Sequence, residues 1–256
     1  MTRAAARVVR AAGSAPVIAL LGATLIGVLG ACGSSPTSLG STGIDGLTIP
    51  TPSPDPADFS DRVDNPWFPL APGTVWTYRR DTTTSTRGLV ANVLSDHRDI
   101  AGVATTGVRW QAPRHGRRVT VLVRWYAEDH AGNVWWFGQE VRRGSLVDDL
   151  ARRSWTAGED GAEAGLVLSA QPRVGDGYAN AEAPGVVERQ STVVSLNATV
   201  ATTNRTYHDA VLTRDQSSLE PTQVTQSFYA RDVGLVAQQI TGPTTSDLTL
   251  LRVRHP

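Results

Sequence analysis

Val123-Arg124-Trp125-Tyr126-Ala127-Glu128-Asp129-His130-Ala131-Gly132-Asn133-Val134-Trp135-Trp136-Phe137-Gly138 is the stretch that decides the fold. Aromatic and β-branched residues stand on both sides of a polar turn whose Gly132 can take a positive φ, the composition of an antiparallel hairpin. A four-residue loop, Asp129 to Gly132, sets Glu128 opposite Asn133, Tyr126 opposite Trp135, Trp125 opposite Trp136 and Arg124 opposite Phe137, and opposed residues share a face. One face then holds Val123, Trp125, Ala127, Val134, Trp136 and Gly138 and is expected to be core. The other mixes large rings with polar groups, and its Arg124, Tyr126, Trp135 and Phe137 form the candidate ligand-binding face, suited to sugars, lipids or a protein partner. A loop longer by one residue would slip this register, and a strand or the segment 145–155 lying over Trp135 and Phe137 would close the face.

Outward from this hairpin the same period-two alternation recurs. Residues 75–78, 88–94, 103–110, 118–127, 133–141, 186–196, 207–214, 222–230, 235–240 and 248–254 read as strands, with turn residues between most of them. Residues 145–153, with Leu146, Val147 and Leu150, are compatible with a short helix. Phe228-Tyr229-Ala230-Arg231-Asp232 followed by Gly234 and Val236 echoes Trp125-Tyr126-Ala127-Glu128-Asp129 with Gly132 and Val134, which suggests two similar hairpins in one sheet. The pattern predicts an all-β domain, a single antiparallel meander of about ten strands forming a curved half-barrel or barrel, with a β-sandwich as the alternative.

The 256-residue chain begins with a different kind of segment. Arg3, Arg7 and Arg10 precede an apolar run from residue 15 to Ala31, and Leu29-Gly30-Ala31-Cys32 resembles a bacterial lipobox. That order predicts a signal peptide over 1–31, cleaved after Ala31, with lipidation of Cys32, the one cysteine of the chain. About 17 apolar residues are at the short limit for a membrane span, so an uncleaved anchor fits less well. Residues 32–57, rich in Ser, Thr, Gly and Pro, read as a flexible tether, and 58–256 as one extracytoplasmic β-domain. The expected location is the outer face of the cell membrane, held by acyl chains.

Loss of Arg3, Arg7 and Arg10 leaves 21 basic residues against 24 acidic ones, a formal charge of −3. This balance argues against a nucleic-acid partner, which calls for a clustered basic surface. All the basic residues are arginine, and with abundant alanine, valine and glycine this suggests the codon bias of a GC-rich genome. Enzyme signatures are absent: the sequence has no Gly-x-Ser-x-Gly elbow, no His-Glu-x-x-His and no phosphate-cradling glycine loop. His97, His115, His130, His208 and His255 stand apart. Glu159, Asp160 and Glu163 make an acidic glycine-rich loop without the spacing of a calcium loop. No catalytic residue, metal ligand or cofactor is expected.

As a set, Asn65-Pro66-Trp67-Phe68-Pro69-Leu70, Pro72-Gly73-Thr74 with Trp76 and Tyr78, the hairpin 125–138, Trp155, Gly158, Gly161, Gly165, Asp176 and Tyr178, and Tyr229-Ala230 with Gly234-Leu235-Val236 carry a resemblance over about residues 60–240. The chain resembles a functionally uncharacterised family of secreted or lipid-anchored actinobacterial β-proteins. It departs from that pattern at Arg124 and at Arg231-Asp232, where a Pro-Gly turn is common. The function expected is a non-enzymatic, membrane-anchored lipoprotein that binds an apolar or amphiphilic ligand, such as a lipid, in its curved sheet. A structural module that engages envelope glycan or protein is the alternative, and a hydrolase without a recognisable motif is a third.

Overall fold

Ten strands lie where the alternation places them, and the computed structural model adds four short ones. It describes residues 55–114, 116–141 and 154–256, so Ala31, Cys32, most of the tether, His115 and the segment 145–153 lie outside the described residues. In chain order the strands are β1 (Phe59–Ser60), β2 (Val75–Thr82), β3 (Thr86–Ile100), β4 (Val103–Arg114), β5 (Arg117–Asp129), β6 (Val134–Val141), β7 (Trp155–Thr156), β8 (Gly165–Leu168), β9 (Gly177–Ala183), β10 (Val187–Ala201), β11 (Thr206–Ser217), β12 (Glu220–Ala230), β13 (Gly234–Thr241) and β14 (Ser246–Arg254).

All pairings are antiparallel, in the order β7-β6-β5-β4-β3-β2-β14-β13-β12-β11-β10-β9, with β1 on β5 and β8 on β6. From β2 to β6 and from β9 to β14, sequential neighbours pair through short turns. The pairing of β2 with β14 joins the first long strand to the last and curls the sheet on itself. The remaining gap is narrowed by β8, which bonds β6 and packs against β9. Gly165 permits that approach, since a Cβ there would stand 2.3 Å from the Asn180 carbonyl carbon. One sheet therefore bends into a nearly closed barrel, and the sandwich does not form.

The decisive hairpin forms with a register different from the expected one. Asp129 accepts from Ala131 and Asn133 backbone amides through Oδ1 and from Trp135 Nε1 through Oδ2, each at 2.9 Å. These bonds hold a loop one residue longer than the turn residues suggest, so Glu128 faces Val134, Ala127 faces Trp135 and Tyr126 faces Trp136. A bulge follows, in which Phe137 is the extra residue, and beyond it Trp125 faces Gly138 and Arg124 faces Gln139. The echo hairpin repeats the device. Tyr229 faces Leu235, Phe228 faces Ala237, and the bulge again falls just before the tyrosine.

The segment Asn65 to Leu70 binds the two hairpins together. Asn65 Oδ1 accepts from the Trp67 and Phe68 amides at 2.8 and 3.1 Å, while its Nδ2 donates to the Gly132 carbonyl at 2.7 Å. Glu128 Oε2 accepts from the Asp64 and Asn65 amides at 2.6 and 2.7 Å. At the second hairpin the Asp232 amide donates to the Pro66 carbonyl at 2.7 Å, and the Arg231 guanidinium lies 4.4 Å over the Trp67 ring. Phe68 stands between the hairpins, 5.1 Å from the Tyr126 ring and 6.0 Å from the Tyr229 ring.

Candidate functional site

Side chains of a strand alternate between faces, and the slipped register decides which of them point into the barrel. Trp136, Arg124 and Tyr126 come together on the inner face, joined by Arg189 from β10, Asp215 from β11 and Tyr229 from β12. They line a cavity of about 70 Å³, walled elsewhere by Trp76, Tyr78 and Trp110. Trp110 stacks on Tyr78 at 5.5 Å. A pocket that holds a small organic ligand has roughly 300–1,000 Å³, so this space suits a few waters or a compact polar group. The open apolar hollow expected of a curved sheet is filled by the barrel's own rings and by Phe68 to Leu70.

The Arg124 guanidinium stands 4.8 Å from the centre of the Trp136 ring, and that of Arg189 stands 6.0 Å from the same ring. Asp215 accepts from Ser191 Oγ at 2.6 Å. Burial pushes the Asp215 carboxyl above its ordinary range, against the opposing effects of Arg189 and of the Ser191 hydrogen bond. Burial also lowers the affinity of Arg189 for its proton, which Asp215 opposes. Burial holds the phenols of Tyr126 and Tyr229 protonated well past their usual range. The site thus offers two cationic forks, one carboxylate and two phenols around a small space.

The four residues expected to form one binding face are divided between two. Arg124 and Tyr126 line the cavity, whereas Trp135 and Phe137 lie on the opposite side of β6, buried under Phe59 of β1, whose ring is 6.1 and 5.2 Å from theirs. The physical reason is the extra loop residue, which turns Trp136 inward in place of Trp135. Trp125, assigned to the core, is only partly buried, with Arg98 at 5.6 Å over its ring. Arg189 and Asp215 lie 65 and 91 positions from Arg124 in the chain. Each reads alone as a surface charge on a strand, and only the closure of the barrel juxtaposes them.

Among the described residues no group of three or more His, Cys, Asp or Glu is arranged to hold a metal ion. His97, His130, His208 and His255 are exposed and stand away from the cavity. Glu163 of the acidic loop is engaged through its backbone, which bridges to Glu182.

No protein-family model and no curated protein sequence matches the chain. Two solved structures are similar in fold. One is a presumed exported protein with a YmcC-like fold from Bacteroides fragilis, 13% identical, covering 74% of this chain and 99% of that one with a TM-score of 0.44. The other is a presumed lipoprotein from Parabacteroides distasonis, 11% identical, covering 73% and 98% with a TM-score of 0.42.

Proposed function

We propose that this chain is a lipid-anchored, extracytoplasmic and non-enzymatic binding module, held at the membrane through Cys32 and presenting the inner pocket of its barrel. The observation that carries the binding reading is the convergence of Arg124 and Arg189 on one indole inside the barrel, with Asp215 lining the same cavity. Ionised groups are costly to desolvate, and a barrel whose only requirement was stability would be served by apolar side chains there. The cavity's small volume and its charge favour a polar ligand group over a lipid chain. The tether supports reach: a coil of about 25 residues averages roughly 25 to 30 Å end to end, enough for the domain to work near the membrane surface while attached to it.

The anchor is tested by fractionation of the producing cells and mass analysis of the extracted protein. The wild-type chain should partition with membranes and begin at an acylated Cys32. Cys32→Ala should appear in the soluble fraction, since one signal less removes the acyl chains that hold it. Wild-type membrane recovery of Cys32→Ala would remove the lipoprotein reading.

A further inference from the structure

Residues 63–70 form a loop whose two ends meet. The Leu70 amide donates to the Val63 carbonyl at 2.9 Å, and both side chains are buried. Between these ends Asn65 Oδ1 gathers the Trp67 and Phe68 amides, and Pro66 and Pro69 stiffen the backbone. A surface excursion with joined ends and its own internal bonds is an Ω-loop, able to move as one piece on its neck. Its tip forms part of the cavity wall. Phe68 and Pro69 line that space and are half-buried, and the Phe68 ring stands between those of Tyr126 and Tyr229, which line it too.

The loop is fastened by the turns of the two similar hairpins, through residues that do not line the cavity. Glu128 Oε2 holds the Asp64 and Asn65 amides, and the Gly132 carbonyl accepts from Asn65 Nδ2. On the other side the Asp232 amide donates to the Pro66 carbonyl, and the Arg231 guanidinium covers the Trp67 ring. Among the described residues no strand pairs with residues 63–70, so a pivot of the loop breaks these contacts and leaves every ladder intact. The fastened position also carries a cost. Trp67 Nε1 is buried there without a hydrogen-bond partner, and outward movement gives that donor to water.

We propose that loop 63–70 is a plug that pivots on its Val63–Leu70 neck, and that the closed barrel is a self-inhibited state. With the plug in place the cavity of about 70 Å³ is too small for most organic ligands. Withdrawal of Phe68 from between Tyr126 and Tyr229 enlarges it by the room of a phenyl ring and opens it at the loop's side of the barrel. Glu128 and Arg231, one from each hairpin, are the latches. The proposal rests on the reading of the inner pocket as the binding site, but its test reads access to that pocket and not binding, so the two fail separately.

Access is measured in the full-length protein in neutral detergent with methyl methanethiosulfonate, a small uncharged thiol reagent, acting on Ala91→Cys. Ala91 lines the cavity and is 2% exposed. Ala210→Cys, at a buried position of β11 that does not line the cavity, reports unfolding of the barrel. Labelling is read by peptide mass, which separates both sites from Cys32. Ala91→Cys should label about 100-fold or more faster than Ala210→Cys, as local opening does against global unfolding. The ratio of the two rates should rise about two- to fivefold with Arg231→Ala and about tenfold or more with Glu128→Ala. Labelling of Ala91→Cys no faster than that of Ala210→Cys overturns the proposal. So does a ratio that neither latch substitution raises, since the reagent then enters elsewhere. Should either cysteine variant fail to fold, hydrogen exchange of the unsubstituted chain decides. The buried Asn65 amide, released from Glu128 when the loop pivots, should exchange about tenfold or more faster than the Leu70 amide of the neck, and equal rates at the two count against the plug.

Discussion

At the scale of single residues, the three tryptophans of the decisive hairpin take roles set by one extra turn residue. Trp135 and Trp136 are each about 3% exposed on opposite faces of β6, while Trp125 is partly exposed on β5. Trp135→Ala and Trp136→Ala should each destabilise by about 3 to 5 kcal/mol, as deletions of buried rings do. Trp125→Ala should cost clearly less, although the alternation by itself puts Trp125 in the core and Trp135 on an open face. Denaturant unfolding of the three variants checks the order, and equal losses at Trp125 and Trp135 would contradict the structure's division of faces. The reason that sequence pointed the other way is local. Asp129 closes its loop through four hydrogen bonds to residues as far as Trp135, and a side chain that caps a turn can absorb an additional residue without any change in the hydrophobic pattern that precedes it.

At the scale of elements, the strands that were legible are those whose side chains alternate between two environments, such as β2 with its buried Trp76, Tyr78 and Arg80. β9, Gly-Tyr-Ala-Asn-Ala-Glu-Ala, was not, because glycine and alanine carry little strand preference and its conformation comes from pairing with β10. β8 is equally inconspicuous and does more for closure, through Gly165. A methyl group on that residue would meet the Asn180 carbonyl carbon at 2.3 Å and the Ala181 nitrogen at 2.6 Å, all backbone atoms that cannot swing aside. Gly165→Ala should therefore push β8 from β9 and destabilise by about 3 kcal/mol. Gly177→Ala on the neighbouring strand, whose nearest contact would be 3.9 Å away, should change stability by no more than about 1 kcal/mol. Thermal melts of the pair measure the contrast, and similar losses at both glycines would show that the backbone approach at Gly165 does not matter. The echo of the two hairpins was also legible as two similar units. What the sequence could not disclose is that Asn65 to Leu70, read only as part of a resemblance, is the piece that links them.

At the scale of the whole molecule, the barrel depends on a pairing between distant parts of the chain. β14 is the last strand, and it stands between β13, its neighbour in sequence, and β2, more than 160 residues earlier. Its Leu248 and Leu250 are buried, opposite Arg80 and Tyr78 of β2, and Ser246 accepts from Arg80 Nε at 2.9 Å. The β10–β11 hairpin leans on the same seam, since Asn204 Nδ2 donates to the Leu251 carbonyl and Arg79 to Thr203 Oγ1. Removal of β14 would therefore expose the ladder edges of both β2 and β13, uncover the inner face around Tyr78 and release the hairpin tip. The cavity would also open, because Tyr78 and Leu235 of these two strands line it. A chain ending at residue 243 should lose cooperative unfolding altogether, not merely shift its midpoint, and should aggregate through its two unpaired edges. The same topology makes closure a late event, since a contact of such sequence separation forms only after the intervening strands are ordered. The decisive measurement is a denaturant titration of the truncated chain beside the full one. A sigmoidal transition with an undiminished m-value in the truncated chain would show that β2 to β6 and β10 to β13 hold without the seam, and that the barrel is not one cooperative unit.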